Sequence, residues 1–186
     1  MNRYLRGIIC LVVTYTRFIG IKLIHWKGLY FSGLNILSPF TEIEIRGTGV
    51  ITCNGLKTRS GTKIKVRNNA AINIGKGSAL SHWCMIVCHE KVQIGENVQF
   101  GPNVLIFDHD HDFRAVNGLK NLKYKTSPIT IGNNVWIGAN TVILKGTRIG
   151  NNCIIGAGSV ISGQIKNDTL VIQKRNNTEY QILDRK

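Results

Sequence analysis

Acidic residues are scarce in this chain. Ten aspartates and glutamates stand against 24 lysines and arginines, for a formal net charge of +14. Residues 1–40 carry Arg3, Arg6, Arg17, Lys22 and Lys27 and no acid at all. Such an excess fits nucleic acid, a membrane surface or an anionic substrate. No Arg/Lys-rich run or zinc-finger spacing is present, and charge alone gives only sequence-independent binding. Nucleic acid is therefore not expected as a partner. Cysteines are few and odd in number: Cys10, Cys53, Cys84, Cys88 and Cys153. Scattered over 186 residues, they exclude a disulfide framework and predict mostly buried thiols in a reducing cytoplasm. Cys84 and Cys88 have no second pair, and His82 and His89 nearby add only a little to a zinc reading, so no metal is expected.

Long apolar runs are lacking too. The stretch "GIICLVVTYT" stops at Arg17, short of a bilayer span, and no clear small-residue cleavage site accompanies it. Residues 1–40 read as a basic, apolar, helical segment. Two roles stay open for residues 1–27: peripheral contact with an anionic membrane, or packing on the rest of the domain. The expected location is the cytoplasm, with the inner face of the membrane as the peripheral variant.

What the chain does have is a period. Isoleucine occupies positions 131, 137, 143, 149, 155 and 161, with Gly132, Gly138, Gly150 and Gly156 following four of them. Neither a helix nor a hairpin gives a spacing of six. Three hexads of strand and turn close one coil of a three-sided prism. One side chain per hexad points inward and stacks on its counterpart in the next coil. A single coil cannot bury its apolar face, so several must stack. The phase recurs at Ile94, Phe100 and Ile106, and again at Ile74, Leu80 and Ile86 before two extra residues intervene. Residues 41–166 are the predicted repeat domain, with irregular first coils, and 167–186 a tail. The period breaks between His111 and Ile129, which predicts a protruding loop at about 112–128.

Just before that loop stands "FDHDHDF", residues 107–113. If extended, it places His109 and His111 on one face and Asp108, Asp110 and Asp112 on the other. A neighbouring aspartate should then be unable to orient either ring. The partner is expected to be a carbonyl or an acid from another coil. A histidine suits proton transfer near neutral pH. A solvated polar turn is the bland alternative.

The stretch "PITIGNNVWIGANTVILKGTRIGNNCIIGAGSVI", 128–161, resembles the hexapeptide-repeat acyltransferases. The branch is similar to galactoside, maltose and xenobiotic acetyltransferases and, more closely, to capsular-polysaccharide O-acetyltransferases. The resemblance covers about residues 41–166. It implies an all-β, left-handed parallel β-helix, a homotrimer, and acetyl transfer from acetyl-CoA to a hydroxyl of a saccharide acceptor. Aligned on "IGENVQFGPNVLIFDHDH", the general base falls on His111, with His109 on the acceptor side. The family's acceptor-side asparagine falls on Ser81. Coenzyme A is implied in the groove between adjacent subunits, against Trp136, Ala139, Ala157 and Ser162, with Lys174 or Arg175 for its phosphates. The tail departs from the family's usual ending at those two cations.

Three other readings stay open. One is N-acetylation of a nucleotide-linked amino sugar, made less attractive by the lack of an N-terminal βαβ unit. A second is a non-catalytic β-helix scaffold of a glycan assembly complex. The third is a zinc site between subunits built from His82, His89, His109 and His111, as in gamma-class carbonic anhydrases, whose spacing these residues do not match.

Overall fold

The computed structural model describes residues 3–116 and 118–174. The hexads build a parallel β-helix, consistent with the left-handed winding of the hexapeptide-repeat class. Its three parallel sheets hold seven, six and six strands. The first face runs from Leu29–Ser32 up to Gln164–Ile165, the second from Lys57–Thr58 up to Leu170–Val171, and the third from Glu42–Ile45 up to Val160–Ile161. Coiling therefore begins before residue 41, where the sequence put the boundary, and continues past 166. The phase of the first coils is hidden by longer strands.

The six in-phase isoleucines all point inward, each at most 3% exposed. Leu80, Phe100, Ile137 and Ile155 stack in register along the second face. Each buried side chain of this size contributes about 1.5–3 kcal/mol of transfer free energy. The turns are specified as tightly as the core. Asn97, Asn134 and Asn152 adopt positive φ, where asparagine is tolerated. Their neighbours form a ladder, in which Asn133 Oδ1 accepts from Glu96 N and Asn151 Oδ1 from Asn133 N. At Gly138 an added Cβ would lie 2.5 Å from the backbone nitrogen of Ala157, so the coils close only over glycine.

The helix α1 spans Arg3–Ile24 and caps the open end of the first coil. Phe18 is buried with its ring 4.8 Å from Phe31. The Thr14 hydroxyl accepts from Leu37 N at 2.9 Å, and Arg17 donates to the carbonyls of Pro39 and Thr41. Such a cap satisfies backbone groups that would otherwise end the stack unpaired.

The three faces differ on the outside. Thr52, Asn73, Gln93, Thr130 and Arg148 form a polar row on the first. The second carries exposed Trp136, Ile154 and Leu170, and the third carries Met85, Leu105, Val142 and Val160 in register.

Candidate functional site

The repeat is interrupted where the third face meets the first. After the strand Leu105–Phe107 the chain bends at Asp108, whose side chain is fully buried. Its Oδ1 accepts from His89 N at 2.8 Å. Its Oδ2 accepts from Glu90 N at 2.8 Å, Lys91 N at 2.9 Å and the Cys88 thiol at 3.2 Å. A carboxylate can accept all of these because it offers about four lone-pair sites. The chain then leaves the prism as an antiparallel hairpin, His109–His111 against Tyr124–Thr126, with a 3-10 turn at Gly118–Asn121. It returns at Ser127, whose N–H donates to Asp108 O at 2.9 Å. The predicted loop is thus a structured excursion that starts at 109 rather than 112, pinned at its neck by Asp108.

The bend changes the geometry expected of "DHDHD". His109 Nδ1 lies 3.2 Å from Asp108 Oδ1, so a neighbouring aspartate does orient a ring. The expectation assumed one continuous extended strand, and Asp108 breaks it by turning into the core. A carboxylate facing Nδ1 favours the tautomer that carries its proton there and its lone pair on Nε2. His109 and His111 do share a side of the hairpin. Both pack on Tyr124, at centroid distances of 5.3 and 4.8 Å. His89 stacks on His109 at 3.8 Å and on Tyr124 at 4.2 Å. Desolvation, with His109 as the next cause, pushes the His89 imidazole down to about 4. His89 is therefore neutral at physiological pH and puts no like charge against His109.

His111 is exposed beside a hollow of about 250 Å³ lined also by Asp110, Arg114, Lys125 and Lys145. Lys145, one coil farther along the same edge, reaches Asp110 at 3.0 Å, and Lys125 reaches Asp112 at 3.0 Å. Tyr124 and Lys145 were not singled out as functional by sequence, and His89 entered only among the candidate zinc ligands. His89 had a usable signal: it and His109 each lie two residues past the registered pair Val87 and Phe107.

The remaining residues lie on two different edges. Ser81 follows the strand Ala79–Leu80, and Ala139 and Ala157 follow the strands Trp136–Ile137 and Ile154–Ile155, where the second face meets the third. Ala139 and Ala157 stack on this edge, Ser81 lies two coils before Ala139 and level with Gly138 and Gly156, and Trp136 is 57% exposed on the adjoining face. Ser162 instead follows the third face, on the histidine edge, and is exposed. Lys174 is exposed beyond the last strand, and Arg175 lies outside the described residues. Within one protomer the strands of the third face separate the two edges. His82 sits on the Ser81 edge, apart from His89, His109 and His111, so one protomer does not gather the four-histidine set.

Solenoid, hexad ladder and hairpin define a hexapeptide-repeat parallel β-helix. Residues 128–163 match the family model "Bacterial transferase hexapeptide (six repeats)". It is similar to the galactoside O-acetyltransferase of Escherichia coli K12, 42% identical over 94 residues, which are 50% of this chain and 46% of that protein. The chain spans about half the length of the curated relatives it matches first. Among solved structures, a point mutant of the N-acyltransferase AntD from Bacillus cereus, bound to coenzyme A and dTDP-4-amino-4,6-dideoxyglucose, superposes with a TM-score of 0.63 at 16% identity. The match covers 81% of this chain and 82% of AntD. A maltose O-acetyltransferase from Clostridium difficile gives 0.52 at 23% identity, covering 91% and 83%. Both likenesses concern the fold.

Proposed function

We propose that the protein transfers an acetyl group from acetyl-CoA to a saccharide hydroxyl in surface-polysaccharide synthesis, as a homotrimer. The observation that carries this reading is the His109 imidazole at the hairpin neck, its Nδ1 3.2 Å from the buried Asp108 carboxylate. His109 Nε2 takes the acceptor proton as the hydroxyl oxygen attacks the thioester carbon. The tetrahedral oxyanion collapses, the C–S bond breaks, and the imidazolium returns the proton to the departing thiolate. The same division of labour joins an aspartate, a histidine and a nucleophile in hydrolytic triads. Alignment with the family favours His111 as base instead. The Asp108 contact favours His109, leaving exposed His111 to the acceptor.

Coenzyme A lies along the small-residue edge in this reading. Ala139 and Ala157 let its pantetheine arm approach the backbone, and Trp136 walls its acetyl end. Ser162 lies across the joint, and Lys174 and Arg175 are candidates for its phosphates. Thioester and base then meet only when the Ser81 edge of one copy packs against the histidine edge of the next. The apolar rows on the second and third faces, beside a polar first face, support heterologous packing of that kind. The sugar specificity of the galactoside and maltose relatives supports a saccharide acceptor.

Release of free thiol from acetyl-CoA tests the reading, measured with a panel of saccharides and amino sugars. Thiol release that requires a hydroxyl acceptor is expected. Acetylation of an amino sugar nitrogen alone would replace O-transfer by N-transfer. Absence of both thiol release and acetyl-CoA binding would leave a scaffold.

A further inference from the structure

Among the described residues of α1, one side is covered. Thr14 and Phe18 are buried, whereas Leu5, Ile8, Val12, Ile19 and Leu23 are exposed. At 100° per residue these five share one stripe, opposite the packed side. A bare apolar stripe of this length calls for a partner. Gly7–Ile24 is long and apolar enough to cross a membrane by length and composition, contrary to the expectation from the short run before Arg17. Thr14 and Phe18 tie it to the first coil instead, and a helix packed on its own domain lies along a bilayer rather than through it. Trp26, just past the helix, is 69% exposed with Lys27 Nζ 4.8 Å from its ring centroid, a pair suited to the headgroup layer. The acid-free, cationic stretch 1–40 complements an anionic leaflet.

Beneath the N-terminal half of α1 runs a groove of about 840 Å³, within the ~300–1,000 Å³ range of ligand clefts. Gly7 and Cys10 form its roof. Its floor is the second face from Lys57 to Gln99, and it reaches the prism edge at Arg59 and Ser81. Lys57 and Arg59 are exposed, and neither has an ion-pair partner among the described residues.

We propose that this groove takes a saccharide carried on a long-chain lipid phosphate, drawn from an anionic bilayer on which the outer stripe of α1 rests. This names the acceptor class for the acetyl transfer above and rests on that reading. Lys57 and Arg59 meet the phosphate, the helix flank meets the first carbons of the chain, and the sugar extends to Ser81. A free sugar would use neither the cations nor the helix. A nucleotide sugar would use the cations and leave the apolar roof idle.

Calorimetry on the full chain separates the cases, with n-octyl phosphate, n-octanol and inorganic phosphate as probes. Octyl phosphate is expected to bind at least ~10-fold tighter than either of the others. The double variant Lys57→Gln/Arg59→Gln should weaken it by ~10-fold or more while unfolding at the wild-type temperature, as expected for two charge-assisted contacts. Equal affinity for octyl phosphate and inorganic phosphate, or an unaffected variant, overturns the proposal. Flotation tests the bilayer part. The protein should float with phosphatidylglycerol–phosphatidylcholine vesicles at low salt and stay down with phosphatidylcholine alone; staying down with both overturns it. Acetyl-CoA binding is read separately. A protein that binds acetyl-CoA and ignores octyl phosphate loses this inference alone. One that binds octyl phosphate but neither binds nor cleaves acetyl-CoA loses the transfer reading, and the acceptor assignment with it.

Discussion

Replacing His109 with glutamine lowers kcat by at least ~100-fold and leaves the chain folded. Glutamine can still donate an amide hydrogen to Asp108, so the neck keeps its contact, yet it has no basic nitrogen to receive the acceptor proton. A positioned base contributes ~10²–10⁴-fold, which sets the size of the loss. His111→Ala, on the exposed side of the hairpin, raises KM for the acceptor and costs kcat less than ~10-fold, because binding contacts made equally in ground and transition states affect KM. The assay is initial-rate thiol release at saturating acetyl-CoA, with thermal unfolding as the control. If the two variants exchange behaviour, the base is His111 and the Asp108 contact only orders the neck. If both retain near-normal kcat, proton transfer does not run through this hairpin.

Asp108 itself carries a structural load. Its carboxylate accepts from three consecutive backbone N–H groups at residues 89–91 and from the Cys88 thiol. Asp108→Ala leaves those donors buried without a partner, at about 1–3 kcal/mol for each that water cannot reach. A loss of ~3 kcal/mol or more in denaturant unfolding is expected, and kcat falls with it because His109 loses its anchor. Asp108→Asn keeps one acceptor oxygen and should fall between. A change below ~1 kcal/mol for the alanine variant would mean that the neck is held by other contacts.

The regular part of this fold is legible in the sequence because hexad register and burial are one constraint. An inward isoleucine every sixth residue can be satisfied only by stacked short strands, and 131 to 161 sit where the period puts them. The first coils were less legible. Leu29–Ser32 joins the solenoid through paired strands, not through a hexad phase, and α1 covers its end. At the site, the histidines were legible and their geometry was not. Alternation along "DHDHD" holds only for an uninterrupted strand, and the burial of Asp108 depends on three amides a full coil earlier. Tyr124 reaches the histidines across a hairpin whose pairing no periodicity announces. The separation of Ser81 from His109 onto two edges likewise follows from the sheet topology rather than from any spacing.

That separation carries the central claim: the base and the coenzyme A edge of each site come from different copies of the chain. Mixing two inactive variants tests it directly. His109→Gln removes the base, and Ala157→Trp blocks the small-residue edge at an exposed position. Each variant alone should be inactive. When the two are unfolded together and refolded as mixed trimers, a site that pairs an intact histidine edge with an intact small-residue edge is whole again. Equal mixing should restore about a quarter of wild-type activity, as random assembly of a closed heterologous ring requires. No recovery at any mixing ratio, with mixed trimers verified by mass, would place base and thioester within one copy and contradict the shared site.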